Sequence, residues 1–274
     1  MMNLQEIFKE EHLDAYAILP ISLCSVRRPD IITRRGVSAD KIQTAILFLI
    51  PYYVQDGEGN ISLYARSGDY HAYSDALFAR IEPLLEKVYG GRFLGFADKS
   101  PIEETVAAAR AGLGKIGDNY MLIHEKYGSF VFLAELLTTC PPEAFGWQGE
   151  ASLPADTGCL HCGACKKACP MVKDGMPCLS AVTQKKGELT PEETAYLQKY
   201  GSAWGCDLCQ LSCPMNAKVL REGMETPIDF FKKDRISVLT REMLEAMDED
   251  TFRRRSFSWR GKAPLLRNLD ILKK

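Results

Sequence analysis

Eight of the ten cysteines in this 274-residue chain fall between Cys159 and Cys213. Four form the run Cys159-Leu-His-Cys162-Gly-Ala-Cys165-Lys-Lys-Ala-Cys169-Pro170 and three the run Cys206-Asp-Leu-Cys209-Gln-Leu-Ser-Cys213-Pro214, with Cys178 between them. Eight thiolates are what two 4Fe-4S clusters require. The first run has the bacterial ferredoxin spacing, in which three cysteines hold one cubane and the fourth, placed before a proline, ligates the other. That rule groups Cys159, Cys162 and Cys165 with Cys213, and Cys206 and Cys209 with Cys169. The second group is one ligand short. A complete second run would carry its first cysteine where this chain has Ala203. Cys178 is the nearest candidate, and Cys24 and Cys140 are the alternatives, otherwise read as small buried apolar residues.

Zinc and disulfides fit the pattern less well. Structural zinc takes two separated pairs and closes a tetrahedron, which leaves the third cysteine of the first run and its Cys-Pro redundant. A disulfide framework belongs to short secreted chains, and the N-terminus here has no charged n-region followed by an apolar h-region. Reduced thiols and no leader lead to the expectation of a cytoplasmic protein. The longest apolar run, Thr44–Ile50, is too short to span a bilayer and stops at Pro51, so no membrane association is expected.

The cysteine region is a quarter of a chain whose composition is 46% apolar, enough for a second core. A formal net charge of −2 gives no global basic field for nucleic acid. Local basic patches remain at Lys185-Lys186, Arg253-Arg254-Arg255 and Arg260-Gly-Lys262, a pattern equally met on solvated faces. Periodicity predicts a helix over 2–11, strands at 15–19 and 44–50, a helix over 73–88, a strand at 93–97 and a helix over 102–111. Tyr120–Ile123 and Ser129–Leu133 suit paired strands. This is an α+β fold with α/β-like alternation, and with the cysteine runs it gives three regions: an α+β domain over 1–150, a two-cluster ferredoxin-like domain over 151–220 and a helical segment over 221–274. Pro141-Pro142 and the stretch from 146 to 157 read as the linker. No dinucleotide or P-loop motif is present, and Gly112-Leu-Gly114-Lys-Ile-Gly117 follows a helix, the wrong context for one.

The residues also carry a family resemblance. Tyr64-Ala65 with Gly68-Asp69-Tyr70-His71, Ala97-Asp98-Lys-Ser-Pro101-Ile-Glu-Glu104, Ala111-Gly-Leu-Gly114-Lys-Ile-Gly117, and Tyr127-Gly-Ser-Phe-Val-Phe-Leu133 with Glu135-Leu-Leu-Thr138 resemble, in order, the motifs of epoxyqueuosine reductases. Cys178-Leu-Ser180-Ala-Val-Thr183, Gly205–Gln210, Cys213-Pro-Met-Asn216 and Leu265–Asn268 continue the resemblance to the C-terminal end.

The resemblance implies a nitroreductase-like, corrinoid-binding domain followed by the ferredoxin domain. Two 4Fe-4S clusters would pass electrons from an external low-potential donor to cobalamin, and the epoxide of epoxyqueuosine in tRNA would be reduced to the alkene of queuosine. It implies Cys178 as the missing ligand, Asp98 as proton donor, and Ser180, Thr183, Gly205 and Asp207 beside the corrinoid. Without the resemblance, Asp98 reads as a cap or turn aspartate. His71 and His161 read as structural, Tyr70, Tyr73 and Phe130 as packing, and Gln210 as either a local structural residue or an RNA contact. Two departures stand out. Lys115 and Asp118 replace the tryptophan and lysine common in the family, and the chain stops at Lys274, short of the helical-repeat domain that helps its full-length members hold tRNA. A small-molecule reductase of the same architecture and a noncatalytic electron carrier are the alternative readings.

Overall fold

The run Thr44–Pro51 carries no polar side chain after Thr44 and is rich in large apolar residues, the composition of a strand covered on both faces. A computed structural model of the chain describes residues 2–149 and 158–273, and there every residue of this strand is buried. The fold is mixed α/β. It divides into two compact units, one built from Met1–Pro51 and Tyr73–His161, the other from Tyr52–Ala72 and Cys162–Lys274.

In the first unit, helix α1 (Leu4–Glu10) opens on a capping box. Glu6 N donates to Asn3 Oδ1 (2.9 Å) and Asn3 N donates to Glu6 Oε2 (2.8 Å), while Leu4, Ile7 and Phe8 turn inward. There follow β1 (Tyr16–Pro20), α2 (Pro29–Arg34), β2 (Thr44–Pro51), α3 (Tyr70–Tyr89), β3 (Phe93–Ala97), α4 (Glu104–Arg110), β4 (Lys115–Ile116), β5 (Leu122–Ile123) and β6 (Val131–Thr138). The main sheet has the order β1-β2-β6-β3, and every neighbouring pair is antiparallel. The helix–strand alternation of the sequence thus builds no parallel pair of neighbours. β2 and β3 run the same way, but β6 is inserted between them.

On one face Phe8, Phe48 and Phe78 meet edge to face, at 5.1 and 6.4 Å between centroids. Gly95 is required there, because a Cβ would stand 2.1 Å from the Phe78 ring. On the other face Leu47, Leu49, Leu94, Phe96 and Leu137 share a core with Ala107, Ala108 and Ala109 of α4, whose small side chains let the helix lie close to the strands. The expected pairing of Tyr120–Ile123 with Ser129–Leu133 is not formed. β5 pairs with β4, β6 joins the main sheet, and a lone bridge between His124 and Gly128 links the two stretches. Of the expected linker, Pro142–Phe145 form a 3-10 turn closed by Gly146 in the left-handed region (φ 83°). Residues 150–157, with the expected boundary at 150/151, lie outside the described residues.

The second unit is helical: α5 (Ala164–Ala168), α6 (Pro170–Asp174), α7 (Leu179–Thr183), α8 (Pro191–Tyr200), α9 (Leu208–Leu211), α10 (Ala217–Glu222), α11 (Arg241–Ala246), α12 (Glu249–Arg253) and α13 (Lys262–Leu272). Residues 221–274 are part of this unit rather than a tail, since Leu244, Phe252, Phe257, Leu265 and Leu269 form one core with Ala203 and Trp204. Asn268, fully buried, donates to both Thr183 O (2.7 Å) and Ala203 O (2.9 Å).

The segment Tyr52–Ala72 also belongs here, which the sequence did not announce. Asn60 donates to Leu239 O and accepts from Leu239 N (2.9 and 2.8 Å), and Ser62 N donates to Trp204 O (2.8 Å). Asp56 receives Arg66 and Arg235, each at 2.7 Å, and both arginine side chains are buried. Burial works against the Asp56 charge, but Arg235 and Arg66 outweigh it and hold the carboxyl below its ordinary value. A depressed carboxyl stabilises the fold above the unfolded pKa, and that contribution is lost as pH falls through the folded one. Asp56→Ala leaves two buried guanidinium groups unpaired and is expected to cost about 3–5 kcal/mol. In a chain of this size that is a fall of roughly 10 °C or more in Tm by calorimetry. Among the described residues no helix is long and apolar enough to cross a membrane.

Candidate metal centre and proton-donor site

Each cysteine run folds as short helical turns broken at its Cys-Pro step, where proline biases the preceding cysteine to extended backbone. Gly163, at φ 71°, supplies the left-handed step into α5, and Cys169 ends α5 and precedes Pro170, the first residue of α6. In the second run Cys206 precedes α9, Cys209 lies within it, and Cys213-Pro214 open the next turn. α5 packs against α9, and Ser212 Oγ donates to Ala164 O (3.4 Å), bringing together the turns that bear Cys165 and Cys213. Tyr196 marks the other group. Burial, then the neighbouring thiols of Cys169 and Cys178, push its hydroxyl upward, with Cys206 also contributing. That hydroxyl donates to Pro177 O (3.2 Å), which fixes the residue preceding Cys178. The Cys206 thiol is pushed up to about 12 by burial, with Asp207, Cys209 and Cys178 adding to the shift. A Cys206 thiol held protonated by burial beside other thiols is what a cationic metal core relieves.

The spacing of donors bears on which metal. One ion with thiolates at about 2.3 Å needs its sulfurs within about 4 Å of one another. Among the described residues, the group of three such donor atoms close enough for one ion is Asp118, Cys159 and His161, within 4.8 Å. Among the described residues no cysteine trio lies that close.

Asp118 receives His161 Nδ1 (2.8 Å), and His161 N donates to Cys159 Sγ (3.5 Å). The reversed charge at position 118 is thus used locally to hold a histidine inside the first run. Cys140 is a buried thiol and Cys24 a half-buried one. Cys140 Sγ donates to Gly90 O (3.1 Å), and burial, then Glu135, push Cys24 up to about 12. Position 203, where a complete second run would place a cysteine, holds a fully buried core alanine whose N–H donates to Asn60 O (2.8 Å).

Ser180, Thr183, Gly205 and Asp207 are linked by structure rather than gathered around open space. Thr183 has no exposed surface; its hydroxyl donates to Ser180 O (2.8 Å) and accepts from Gly205 N (3.0 Å). Gly205 has φ 77°, and a Cβ there would stand 2.5 Å from Ser62 Cβ. Asp207 accepts from Ser62 Oγ (2.5 Å) and Leu63 N (2.8 Å), and burial raises its carboxyl. Ser180 lines a cavity of about 740 Å³ with Cys178 and Lys185, and Asp207 lines another, of about 650 Å³, with Cys206 and Arg66.

Asp98 lies just past β3, exposed, in the left-handed region at φ 66°. It shares a cavity of about 360 Å³ with Ser100, Ile102, Glu103 and Glu104. Two carboxyls here were not singled out from sequence. Glu135, on β6 opposite Leu47 and Phe96, is fully buried; burial, then Glu104, raise it well above the ordinary range. Burial, then Asp98, raise Glu104 to about 7. The available signal was one glutamate inside an otherwise apolar strand, Val131–Thr138.

The remaining candidates make local contacts. His71 Nδ1 contacts Asp69 Oδ1 (3.0 Å) and its ring stacks on Tyr70. Tyr73 and Phe130 are buried, and Gln210 Nε2 donates to Tyr52 Oη (3.2 Å) in a buried position. Lys185 pairs with Glu193 (2.8 Å), Arg253 with Glu249 (3.0 Å), and Arg260 stacks on Trp259 at 3.8 Å.

No protein-family model matches the chain. It is similar to an epoxyqueuosine reductase of Cellulophaga algicola, 32% identical over 255 residues, 85% of this chain and 78% of that protein. In fold it is similar to a crystal structure of epoxyqueuosine reductase with an epoxyqueuosine-modified tRNA-Tyr stem loop, at TM-score 0.70 and 21% identity, covering 98% of this chain and 80% of that one. It is also similar to the epoxyqueuosine reductase of Bacillus subtilis, solved with its catalytic aspartate loop swung out of the active site, at TM-score 0.68 and 21% identity over the same shares. Several curated relatives of similar identity are longer, and the chain spans 60–63% of their length.

Proposed function

The chain belongs to the epoxyqueuosine reductase family, and on that premise we propose that it is an oxidoreductase that converts epoxyqueuosine in tRNA to queuosine. The observation that carries this reading is the gathering of Cys169, Cys178 and Cys206 around Tyr196, with Cys209 beside Cys206, in a member of that family. These four would hold one 4Fe-4S cluster, and Cys159, Cys162, Cys165 and Cys213 the other. An external low-potential donor would reduce them, in the cytoplasm, where thiols stay reduced.

The same reading carries a cobalamin as the second cofactor. Ser180 would meet it, with Thr183, Gly205 and Asp207 fixing the backbone behind, and when bound it supplies a strongly reducing, nucleophilic cobalt suited to an epoxide carbon. The chain's own contribution is the proton. Asp98, as a carboxylic acid on an exposed turn, would give its proton to the epoxide oxygen as the C–O bond opens. The aspartate loop described for the Bacillus subtilis enzyme is in keeping with such a position. The test is to incubate the reconstituted protein, cobalamin and a strong reductant with epoxyqueuosine-containing tRNA and to look for queuosine by mass spectrometry. Queuosine is the expected product, and its absence defeats the reading.

A further inference from the structure

Two glutamates are left unused by the mechanism above: Glu104, which shares the cavity of Asp98, and Glu135, which meets Ser100 of the same cavity. Glu135 projects from the middle of β6 into an apolar face, is 0% exposed, and its Oε2 has no hydrogen-bond partner among the described residues. Glu104, in the first turn of α4, also has a buried Oε2 without such a partner, and it lines the cavity that Asp98 lines. The bonds at Ser100 indicate where a proton sits. Ser100 Oγ accepts from Ile102 N (3.0 Å) and lies 2.9 Å from Ile102 O and 2.5 Å from Glu135 Oε1. One hydroxyl proton cannot serve both oxygens. A carboxylate buried in apolar surroundings with one oxygen unpaired is the costlier arrangement, so Glu135 is the neutral acid and donates to Ser100, which donates to Ile102 O.

The other charged or titratable groups facing the pair are few. Arg110 donates to Leu23 O (2.9 Å), the Cys24 thiol stays protonated, and Glu103 is paired with Arg27 (2.7 Å). Each acid raises the next: Asp98 raises Glu104, and Glu104 raises Glu135.

Reducing an epoxide to an alkene breaks two C–O bonds, forms the C=C bond and releases the oxygen as water. It consumes two electrons, here from the external low-potential donor, and two protons. One carboxyl carries one proton. We infer that Glu104 returns a proton to Asp98 within each turnover, with Glu135 as the buried acid in reserve behind it, so that both protons of the departing water pass through Asp98. In that step the Glu104 O–H bond breaks and an Asp98 O–H bond forms; Glu104 regains its proton from Glu135, and water restores the pair between turnovers. Neither glutamate touches substrate, and both act through Asp98. The inference rests on the reductase reading.

Glu104→Gln and Glu135→Gln keep a hydrogen-bonding side chain of the same shape, and they test it in the reconstituted holoprotein. At about pH 6, where the wild-type Glu104 is still the acid, each is expected to lower kcat roughly tenfold or more with KM unchanged, and added acetate buffer is expected to restore part of the Glu104→Gln rate. The acid form of Glu104 is lost as pH rises through about 7, so the wild type should show an alkaline limb there that Glu104→Gln lacks. Infrared difference spectra of the wild type should show protonated-carboxyl bands, one missing from each variant. Wild-type rates and pH profiles in both variants, or no band lost, overturn the relay alone. A wild type that yields no queuosine overturns the reductase reading and the relay with it.

Discussion

Asp98→Asn is expected to keep its iron and its corrinoid binding and to lose turnover by about 10²–10⁴-fold, the range for removing a general acid. The choice of asparagine is dictated by the backbone. Asp98 sits at φ 66°, in the left-handed region that asparagine and aspartate enter far more readily than other side chains. Asparagine therefore preserves the turn between β3 and Ser100, whereas alanine would add backbone strain to the loss of the acid. The local hydrogen bonds support the same choice: Ser100 Oγ and Ile102 N hold the following turn without Asp98. Iron content, the visible spectrum of added cobalamin and queuosine formation are to be measured on the same preparation. Spectra like the wild type's with turnover lost assign the proton to Asp98. Turnover within a few-fold of wild type means that the proton comes from another group.

What the sequence disclosed and what it hid divide along chain separation. The cysteine runs are legible because the spacing of ligands is itself local, and α3, β1, β2 and β3 are legible because each carries its period in its own residues. Membership of Tyr52–Ala72 in the second unit was not, since it depends on Asn60 meeting Leu239, 179 positions away, and Asp56 meeting Arg235. The same limit explains β5, whose two residues are apolar enough for either partner and take Lys115–Ile116. Glu135 shows it most sharply. Its strand was visible as a strand, but full burial follows from the register that places it between Leu47 and Phe96 under a helix of alanines. A pair of acids assembled by register has no spacing to read.

The ligand that replaces the cysteine absent at position 203 can be decided by iron analysis. Cys178→Ser is expected to lose roughly half of the iron of the reconstituted protein and to abolish electron delivery, because one of two four-iron cubanes loses a thiolate. Cys24→Ser and Cys140→Ser should retain all of it. The physical grounds lie in what each sulfur already does. Cys140 gives its thiol proton to Gly90 O, and Cys24 is pushed up to about 12 by burial and then Glu135, a carboxyl rather than another thiol. Cys178 is exposed, caps α7, and is felt by both Tyr196 and Cys206. Restoring the ferredoxin-like position instead, by Ala203→Cys, should not rescue Cys178→Ser. Ala203 has no exposed surface, and its neighbours are Asn60, Trp204 and the side chain of Asn268. A thiol there would enter the apolar core of the second unit and overpack it. Full iron in Cys178→Ser would return the choice to Cys24 or Cys140, and the two single serine variants would then separate them.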